Sequence, residues 1–302
     1  MNDRRTEHSA HLLALVTIVI WGATFISTKL LLVDFQPVEI LFIRFLIGFY
    51  ALLAAFPHRL KHTDRKQEIT FALAGLCGIT LYYLFENIAL TFTQASNIGV
   101  IVSAAPLFTA ILSRLLLRSE ERLGVSFFLG FLTAMAGIAL ISFHGAEMHL
   151  DPRGDLLAVG AAIVWSFYSI LTKKISAYGF STIQTTRRIF AYGILFMIPF
   201  LLLSDFKVDF SRFANAENIF HILFLGLGAS ALCFATWSFS VKVLGVVRTS
   251  VYIYMVPVVT VILSVIVLKE EITWISVLGT VLILLGLLLS SGYRPKALKQ
   301  ER

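Results

Sequence analysis

The amino-acid sequence predicts an all-α polytopic membrane protein, with ten transmembrane helices arranged as two inverted five-helix repeats. Three observations predict this fold. The chain is strongly apolar, its apolar residues fall into ten segments of membrane-spanning length, and residues of the first half recur in the second half. The recurrence has a constant spacing of 144 residues and includes the pairs Trp21 and Trp165, Lys29 and Lys173, and Arg44 and Arg188. An internal repeat in so apolar a chain narrows the choice to a few classes of membrane protein.

Composition supports the first observation. Of the 302 residues, 58% are apolar and 14% are charged, and the mean hydropathy is +0.84. Soluble domains average roughly 45–50% apolar and 25% charged residues, so we expect lipid to surround most of this surface. The net charge of +7 does not indicate nucleic-acid binding, because the basic residues lie in short loops between apolar segments. Cys77 and Cys233 both lie inside apolar segments and have neither disulfide-framework nor metal-site spacing.

Ten apolar segments approach the ~20 residues that a membrane-crossing helix needs. They lie at about 12–32, 37–56, 69–90, 96–117, 124–143, 155–173, 182–203, 219–240, 247–268 and 274–291. The first repeat therefore covers residues 12–143 with spans 1–5, and the second covers residues 155–291 with spans 6–10. Residues 1–11 and 292–302 are the predicted cytoplasmic tails.

The basic residues of the loops predict the orientation, since cytoplasmic loops are enriched in lysine and arginine. With a cytoplasmic N-terminus, sixteen basic residues fall on the inner side and only four, Arg153, Lys207, Arg212 and Lys269, fall outside. Both termini are therefore predicted to be cytoplasmic. Because each repeat has five spans, the second enters the membrane inverted, an arrangement common in secondary transporters. A duplicated helical bundle without a transport role is the alternative.

Two prolines occupy matching places in the repeats. Pro106 lies near the middle of span 4 and Pro257 near the middle of span 9. Proline removes a backbone donor and frees the carbonyl group four residues earlier, and such carbonyls need a partner in a membrane. Matching helix breaks in two inverted halves point to a central binding site. Two packing kinks are the alternative interpretation.

Glycines recur in spans 5 and 10. Gly130 and Gly137 correspond to Gly279 and Gly286, and both pairs have a spacing of seven residues. Small residues on one helix face allow close helix contacts. We therefore expect these spans to form scaffold or subunit contacts, with a homodimer as the predicted assembly.

Charged residues at membrane depth form a candidate coupling or charge cluster of Lys29, Arg44, Glu86 and Arg188. Charges inside a membrane usually pair or face water. Lys29, Arg44 and Glu86 are predicted in the outer half, whereas Arg188 lies near the inner side. Glu86 either binds a proton or a substrate ammonium group, or forms a structural ion pair with Lys29 or Arg44. It has no acidic counterpart in the second half.

Two members of the charge cluster, Lys29 and Arg188, each have two possible roles. Lys29 and Arg188 either neutralise a substrate carboxylate or have structural explanations. For Lys29 the alternative is a side chain that reaches the interface from a helix end. For Arg188 it is the positive-inside preference, which also accounts for Arg187.

Aromatic and polar residues on the inner spans suit an amphipathic small molecule. The candidate substrate-binding residues are Trp21, Tyr83, Asn87, Pro106, Trp165, Trp237 and Pro257. Packing or interface anchoring is the alternative role for the aromatic residues.

Several motifs resemble those of the EamA family in the drug/metabolite transporter superfamily. They are the segments 20–26 (IWGATFI), 87–90 (NIAL), 95–97 (ASN), 106–109 (PLFT), 257–260 (PVVT) and 268–271 (LKEE), together with Arg44 and Trp165. The family's glycine before glutamate is missing after spans 4 and 9. The resemblance implies a ten-helix carrier with a cavity lined by spans 1, 3, 4, 6, 8 and 9, and export of amino acids and related metabolites.

We therefore expect a secondary transporter that exports small metabolites, an amino acid or a related compound, by alternating access across the plasma membrane. Its partners would be the solute and the lipid bilayer, with no nucleic acid, metal or cofactor and with coupling to protons through Glu86. A lipid flippase subunit and a non-transporting membrane partner are alternatives. An intramembrane enzyme is disfavoured, because the spans contain no deep aspartate or histidine and no catalytic motif.

Overall fold

The computed structural model of the chain describes residues 2–60, 63–89, 92, 101–117, 124–142, 152–204, 210–263, 266 and 274–290. These residues are almost entirely helical and include no strand. The helices are α1 (Asn2–Leu31), α2 (Pro37–Ala55), α3 (Arg65–Gly75), α4 (Tyr82–Ala89), α5 (Ala105–Leu116), α6 (Val125–Ser142), α7 (Pro152–Ser176), α8 (Thr182–Leu203), α9 (Ala216–Leu223), α10 (Cys233–Leu244), α11 (Val246–Ser250), α12 (Met255–Leu263) and α13 (Trp274–Ser290).

Six helical stretches of the described chain are long and apolar enough to cross a membrane. They are Arg5–Thr28, Pro37–Ala55, Arg65–Glu86, Pro152–Ser176, Thr182–Leu203 and Ala216–Leu244. Four shorter apolar helices lie within the predicted spans 4, 5, 9 and 10. The all-helical, multi-pass prediction is confirmed, while the count of ten spans and the inverted repeat remain predictions. Helix α1 also begins at Asn2, so most of the predicted N-terminal tail continues the first helix.

Both prolines stand where a new helix begins. The backbone turns at Ser103 and Ala104, and α5 then starts with Pro106 in its first turn. On the other side, a 3₁₀ segment at Val251–Tyr254 gives way to α12, whose third residue is Pro257. A proline in the first turn loses no hydrogen bond, because the amide there has no partner within the helix. The predicted helix breaks are therefore real and precede each proline.

Two helices contain π-helical segments that the sequence analysis did not predict. Leu76–Leu81 separates α3 from α4, and Phe224–Leu232 separates α9 from α10. These segments occupy the predicted spans 3 and 8, which are equivalent in the two repeats. π-Helical turns are rare and frequently occur at functional sites. Each one re-aims the side chains that follow it.

Helices of the two halves interlock. Helix α1 packs against α10 and α12, α2 packs against α8 and the second π segment, and α4 and α5 pack against α7. Small residues permit these close contacts, because a β-carbon added to Gly22 would lie 2.6 Å from a side-chain atom of Val259. The interior therefore forms between the halves rather than within either one.

Helices α6 and α13 form the most extensive contact between described helices. A β-carbon on Gly137 would lie 2.5 Å from the carbonyl oxygen of Gly279, and one on Gly286 would lie 2.6 Å from that of Gly130. The glycine stripes thus join these two helices to each other, as predicted for scaffold spans. The homodimer remains a prediction.

Candidate functional site

Three of the predicted binding residues meet in the interior. The ring centroid of Trp21 lies 5.3 Å from that of Trp165 and 5.2 Å from that of Trp237. These residues come from α1, α7 and α10, and Phe234, one turn before Trp237, packs edge-on against Trp21 and Trp165. We call Trp21, Trp165 and Trp237 the tryptophan cluster. Residues separated by 144 positions in the sequence are therefore in direct contact.

A second set of aromatic rings extends this cluster toward α2. The ring centroid of Tyr82 lies 5.1 Å from that of Trp165 and 4.9 Å from that of Tyr83. The ring of Tyr83 in turn lies 5.4 Å from Phe45 on α2. Both tyrosines directly follow the first π segment, which sets the direction of their side chains.

Partial exposure distinguishes some of these aromatic residues from their neighbours. Trp21, Tyr82 and Tyr83 are partly accessible, whereas Trp237 and Phe45 are fully buried. We call the region between the tryptophan cluster and the start of α4 the candidate cavity, because its accessible aromatic surface is what a solute entering the bundle would meet.

Arg44 is the buried cation beside this cavity. Its side chain is only 4% exposed, and its Nε–H donates to the hydroxyl oxygen of Ser230 at 2.9 Å. The guanidinium carbon lies 5.3 Å from the ring centroid of Tyr83, a cation–π distance. Its Nη2 atom is buried and has no hydrogen-bond partner. A charged donor without a partner costs more than the ~1–3 kcal/mol of a neutral one, so this atom is a natural ligand for an anionic group.

Glu86 supplies the opposite charge. It lies one turn after Tyr82 on α4, and the Tyr82 hydroxyl group is close to its carboxyl group. The charges of Arg44 and Glu86 attract each other, but these two described residues form no direct ion pair. A partly accessible acid and a buried cation therefore face the same region without neutralising each other by contact.

Two indole groups add unpartnered donors to this region. The Nε1 atoms of Trp165 and Trp237 are buried without a hydrogen-bond partner, whereas Trp21 donates to the carbonyl oxygen of Ala229 at 3.0 Å. Buried polar groups are normally paired. With Arg44 Nη2, the interior thus holds three N–H donors that a ligand rich in acceptor atoms would satisfy.

The structure describes the surroundings of the remaining predicted site residues in less detail. The side chains of Lys29 and Asn87 lie outside the described part of the chain. Pro106 begins α5, which is tied to the tryptophan cluster's helix α7 because Ser166 donates to the carbonyl oxygen of Ala105 at 3.0 Å. Pro257 begins α12, which packs against α1. No group of His, Cys, Asp or Glu among the described residues could hold a metal ion.

Arg188 is not brought together with Arg44 and Glu86. Its guanidinium group donates to both carboxylate oxygens of Glu68, at 2.7 and 3.1 Å, and its side chain is 44% exposed. Tyr192 and Thr63 also donate to this carboxylate. Arg188 therefore belongs to a separate network between α3 and α8.

A second ion pair joins the halves elsewhere. Arg212 lies in a 3₁₀ segment, Phe210–Ala214, and donates to the carboxylate of Glu39 at 2.8 Å. Glu39 is 2% exposed and also accepts from the backbone amide of Gln36, which caps α2. Neither pairing was identified from the sequence, in which Glu39 suggested only a poorly spaced partner for Arg44 and Glu68 attracted no assignment. Their signal was a carboxylate in the first turn of a helix, which predicts capping but does not identify a distant arginine.

Lys173 binds the C-terminal end of a neighbouring helix. Its ammonium group donates to the carbonyl oxygens of Lys242 and Val241, at 3.0 and 3.4 Å, in the last turn of α10. A cation at the C-terminal end of a helix is favourable, because the unpaired carbonyls carry partial negative charge. The recurrence of lysine at position 173 is thus explained by helix capping.

Comparison with known proteins agrees with this architecture. The model of the EamA-like transporter family matches residues 8–143 and again residues 152–292. An uncharacterized transporter of Archaeoglobus fulgidus is 28% identical over 93% of this chain and 96% of its own length. A probable terminal-alkyne amino-acid exporter of Streptantibioticus cattleyicolor is 24% identical over 91% of this chain and 90% of its own length.

A solved crystal structure supports the fold independently. It superposes with a TM-score of 0.78 at 20% sequence identity, and the match covers 95% of this chain and 99% of the other. The two family matches together cover nearly the whole sequence, and the curated relatives are named transporters. The chain therefore belongs to the EamA-like transporter family and is a multi-pass membrane transporter.

Proposed function

We propose that this transporter exports amino acids or closely related zwitterionic metabolites across the plasma membrane by alternating access. The observation that carries the proposal is the buried Nη2 atom of Arg44, which lacks a hydrogen-bond partner although the opposite charge of Glu86 is close enough to attract it. A carboxylate would accept from Arg44, which forms strong charge-assisted hydrogen bonds with such groups. An ammonium group would bind at Glu86 and against the aromatic rings.

Charge balance favours a zwitterion over a singly charged solute. Arg44 and Glu86 together have no net charge, and buried charges are expensive unless each is paired. A zwitterion pairs both at once. A carboxylic acid or an amine would pair one of them and leave the other without its ligand. The name of the relative from Streptantibioticus cattleyicolor, a probable amino-acid exporter, supports the same solute class.

Matching features in the two halves support alternating access. The first and second π segments, and the breaks before Pro106 and Pro257, occupy equivalent spans. Two inverted halves around one site would give two conformations of similar energy, one open to each side. Residues 12–143 and 155–291 would be these halves, with both termini in the cytoplasm.

Transport in proteoliposomes tests the solute class. Vesicles are loaded with one compound, and exchange with the external labelled compound is measured. The panel compares each amino acid with its decarboxylated amine and its deaminated acid. We expect exchange of the amino acids and a loss on the order of 10²-fold for both analogues, because truncating one partner of a buried charge pair costs ~2–5 kcal/mol. Equal exchange of an amine or an acid would contradict the zwitterion proposal.

Proton coupling through Glu86 is a separate part of the proposal. We expect Glu86→Gln to keep a weakened but measurable amino-acid counterflow and to lose the dependence of net uptake on an imposed pH gradient, since an amide oxygen can accept from an ammonium group but cannot carry a proton. Uptake by the wild-type protein and the variant is compared with and without the gradient. An unchanged gradient dependence in the variant would exclude Glu86 as the coupling group. Exchange of lipid analogues in place of soluble compounds would instead favour the flippase alternative.

A further inference from the structure

A polar cavity lies at the end of the bundle that is predicted to face the cytoplasm, between α7, α8 and α10. The space that it encloses is small, about 10 Å³, and it is partly open to the outside. Five hydroxyl side chains and one ammonium group line it: Thr172, Ser176, Thr182, Thr185, Ser238 and Lys242. So polar a lining is unusual for the space between membrane-spanning helices. It is distinct from the site of Arg44 and Glu86.

Two of the lining hydroxyl groups have no partner. Thr172 is 3% exposed and Ser238 is 5% exposed, and neither hydroxyl oxygen makes a hydrogen bond. Ser176 and Thr185, by contrast, donate to backbone carbonyl oxygens at 2.6 and 2.9 Å. The hydroxyl group of Tyr168 is close to Thr172 and Ser238, but it too has no hydrogen bond of normal geometry. The buried end of the cavity thus offers hydroxyl groups that lie near one another through Tyr168 but form no well-aligned hydrogen bond.

One lysine adds positive charge to the lining of the cavity. Lys242 lies in the last turn of α10 and lines the cavity. The charge of Lys242 is not offset by the carbonyl end of α10, because Lys173 already binds two carbonyl oxygens there. None of the described residues that line the cavity is acidic.

The first turn of α8 adds partial positive charge beside the cavity. Thr182, its first residue, lines the cavity, and the preceding Ser181 makes no side-chain capping hydrogen bond. The first amides of a helix have no partner within the helix and carry partial positive charge. Anions bind readily at such positions.

We propose that this cavity binds a small monovalent anion. The ligand would accept from the hydroxyl groups of Thr172 and Ser238, and Lys242 and the first turn of α8 would balance its charge. A cation is disfavoured by Lys242 and Lys173. The enclosed volume of about 10 Å³ is far below the ~300–1,000 Å³ typical of sites for organic ligands, so the ligand is limited to one small anionic group, such as chloride or a single carboxylate group. The proposal does not depend on which solute the protein transports.

The cavity adjoins the tryptophan cluster. Tyr168 separates the two, since its ring centroid lies 5.1 Å from that of Trp165 and its hydroxyl group is near Ser238. An anion at Ser238 would therefore lie one side chain away from the cluster. If the ligand is a carboxylate, the cavity is a place where a solute could wait before it reaches Arg44. If it is chloride, the cavity is a structural or regulatory site.

Thermal unfolding of the full-length protein in detergent tests the proposal. The midpoint is measured in sodium chloride, in sodium acetate, and in the sodium salt of a bulky sulfonate, at one ionic strength and pH. We expect chloride, acetate or both to raise the midpoint by a few °C over the sulfonate in a saturable manner, because a ligand that binds only the folded state stabilises it. A response to chloride alone identifies a halide site, and a response to acetate alone identifies a carboxylate site.

Variants link the effect to the cavity. Ser238→Ala, Thr172→Val and Lys242→Gln should each raise the half-saturating anion concentration at least about tenfold. Lys174→Gln removes an exposed lysine of α7 that does not line the cavity, and it should keep the wild-type response. Identical midpoints in all three salts would overturn the proposal. So would an anion effect that persists in every folded variant of the three lining residues.

Discussion

Arg44 and Arg188 occupy equivalent sequence positions in the two halves, but their surroundings differ. Arg44 is 4% exposed, binds one hydroxyl group and leaves its Nη2 atom unpartnered beside the interior cavity. The Arg188 side chain is 44% exposed and forms a two-point ion pair with Glu68. A duplicated arginine has therefore become an interior cation in one half and a peripheral link in the other.

The acidic residues around each arginine explain this difference. Glu68 lies at the start of α3 and reaches Arg188 across the boundary between the halves. Glu86 lies deeper in the same span and faces Arg44 without touching it. The halves therefore share a common architecture, while the placement of single carboxylates decides which arginine remains available to a ligand.

The largest expected effect separates the two arginines by transport. We expect Arg44→Gln to reduce amino-acid exchange on the order of 10²-fold or more, because the substrate carboxylate loses its charged partner. Arg188→Gln should stay within about threefold of the wild-type protein, since Arg188 lies outside the site. Exchange in proteoliposomes measures both, with the thermal midpoint as the control for folding. A severe transport defect in folded Arg188→Gln, with Arg44→Gln active, would reverse the assignment.

Stability distinguishes the two ion pairs that join the halves. Arg212→Gln leaves the carboxylate of Glu39, which is 2% exposed, without its cation. We expect a loss of ~3 kcal/mol or more in unfolding free energy, as for broken buried pairs. Arg188→Gln leaves Glu68 without its cation, but this carboxylate is partly accessible to water. The interaction energy of Arg188 with Glu68, measured by combining Arg188→Gln with Glu68→Gln, should be only ~0.2–1 kcal/mol, because solvent screens the pair.

Denaturant titration of each single variant, and of the double variant of Glu68 and Arg188, supplies these values. The matched control is Arg59→Gln, which removes an exposed arginine without breaking either pair. If Arg212→Gln lowers the unfolding free energy no more than Arg188→Gln does, burial does not determine the difference in strength between the two ion pairs.

The smallest expected effect concerns Lys173. Lys173→Gln should lower the unfolding free energy by ~0.3–1 kcal/mol, because the carbonyl end of α10 loses its cation. Lys174→Gln, at the next and exposed position, should change it by less. Unfolding in parallel at low and high salt compares the two, and the difference should shrink at high salt. An equal loss for both lysines would argue against a capping role.

Local sequence features predicted much of the fold. Hydrophobic segments located the helices, the prolines marked real helix breaks, and the glycines marked α6 and α13 as helices with close contacts. That these two helices contact each other was not predicted. Partner choice was harder to predict. Glu68 and Arg188 are 120 residues apart in the chain, and no local pattern specifies that pairing. The contact of Trp21 with Trp165 was likewise not predicted, since a recurrence in sequence does not imply contact in space.

The two π segments were missed because an extra residue in a helical turn leaves the apolar composition unchanged. Each extra residue rotates everything beyond it by about 100° around the helix axis. Trp237 and Phe234 follow the second segment, and Tyr82 and Tyr83 follow the first. Deleting one residue, such as Leu227, would keep a membrane-length apolar helix and yet turn Trp237 away from its neighbours. The composition of the cavity wall therefore depends on the number of residues that precede it in each helix, as well as on which residues the wall contains.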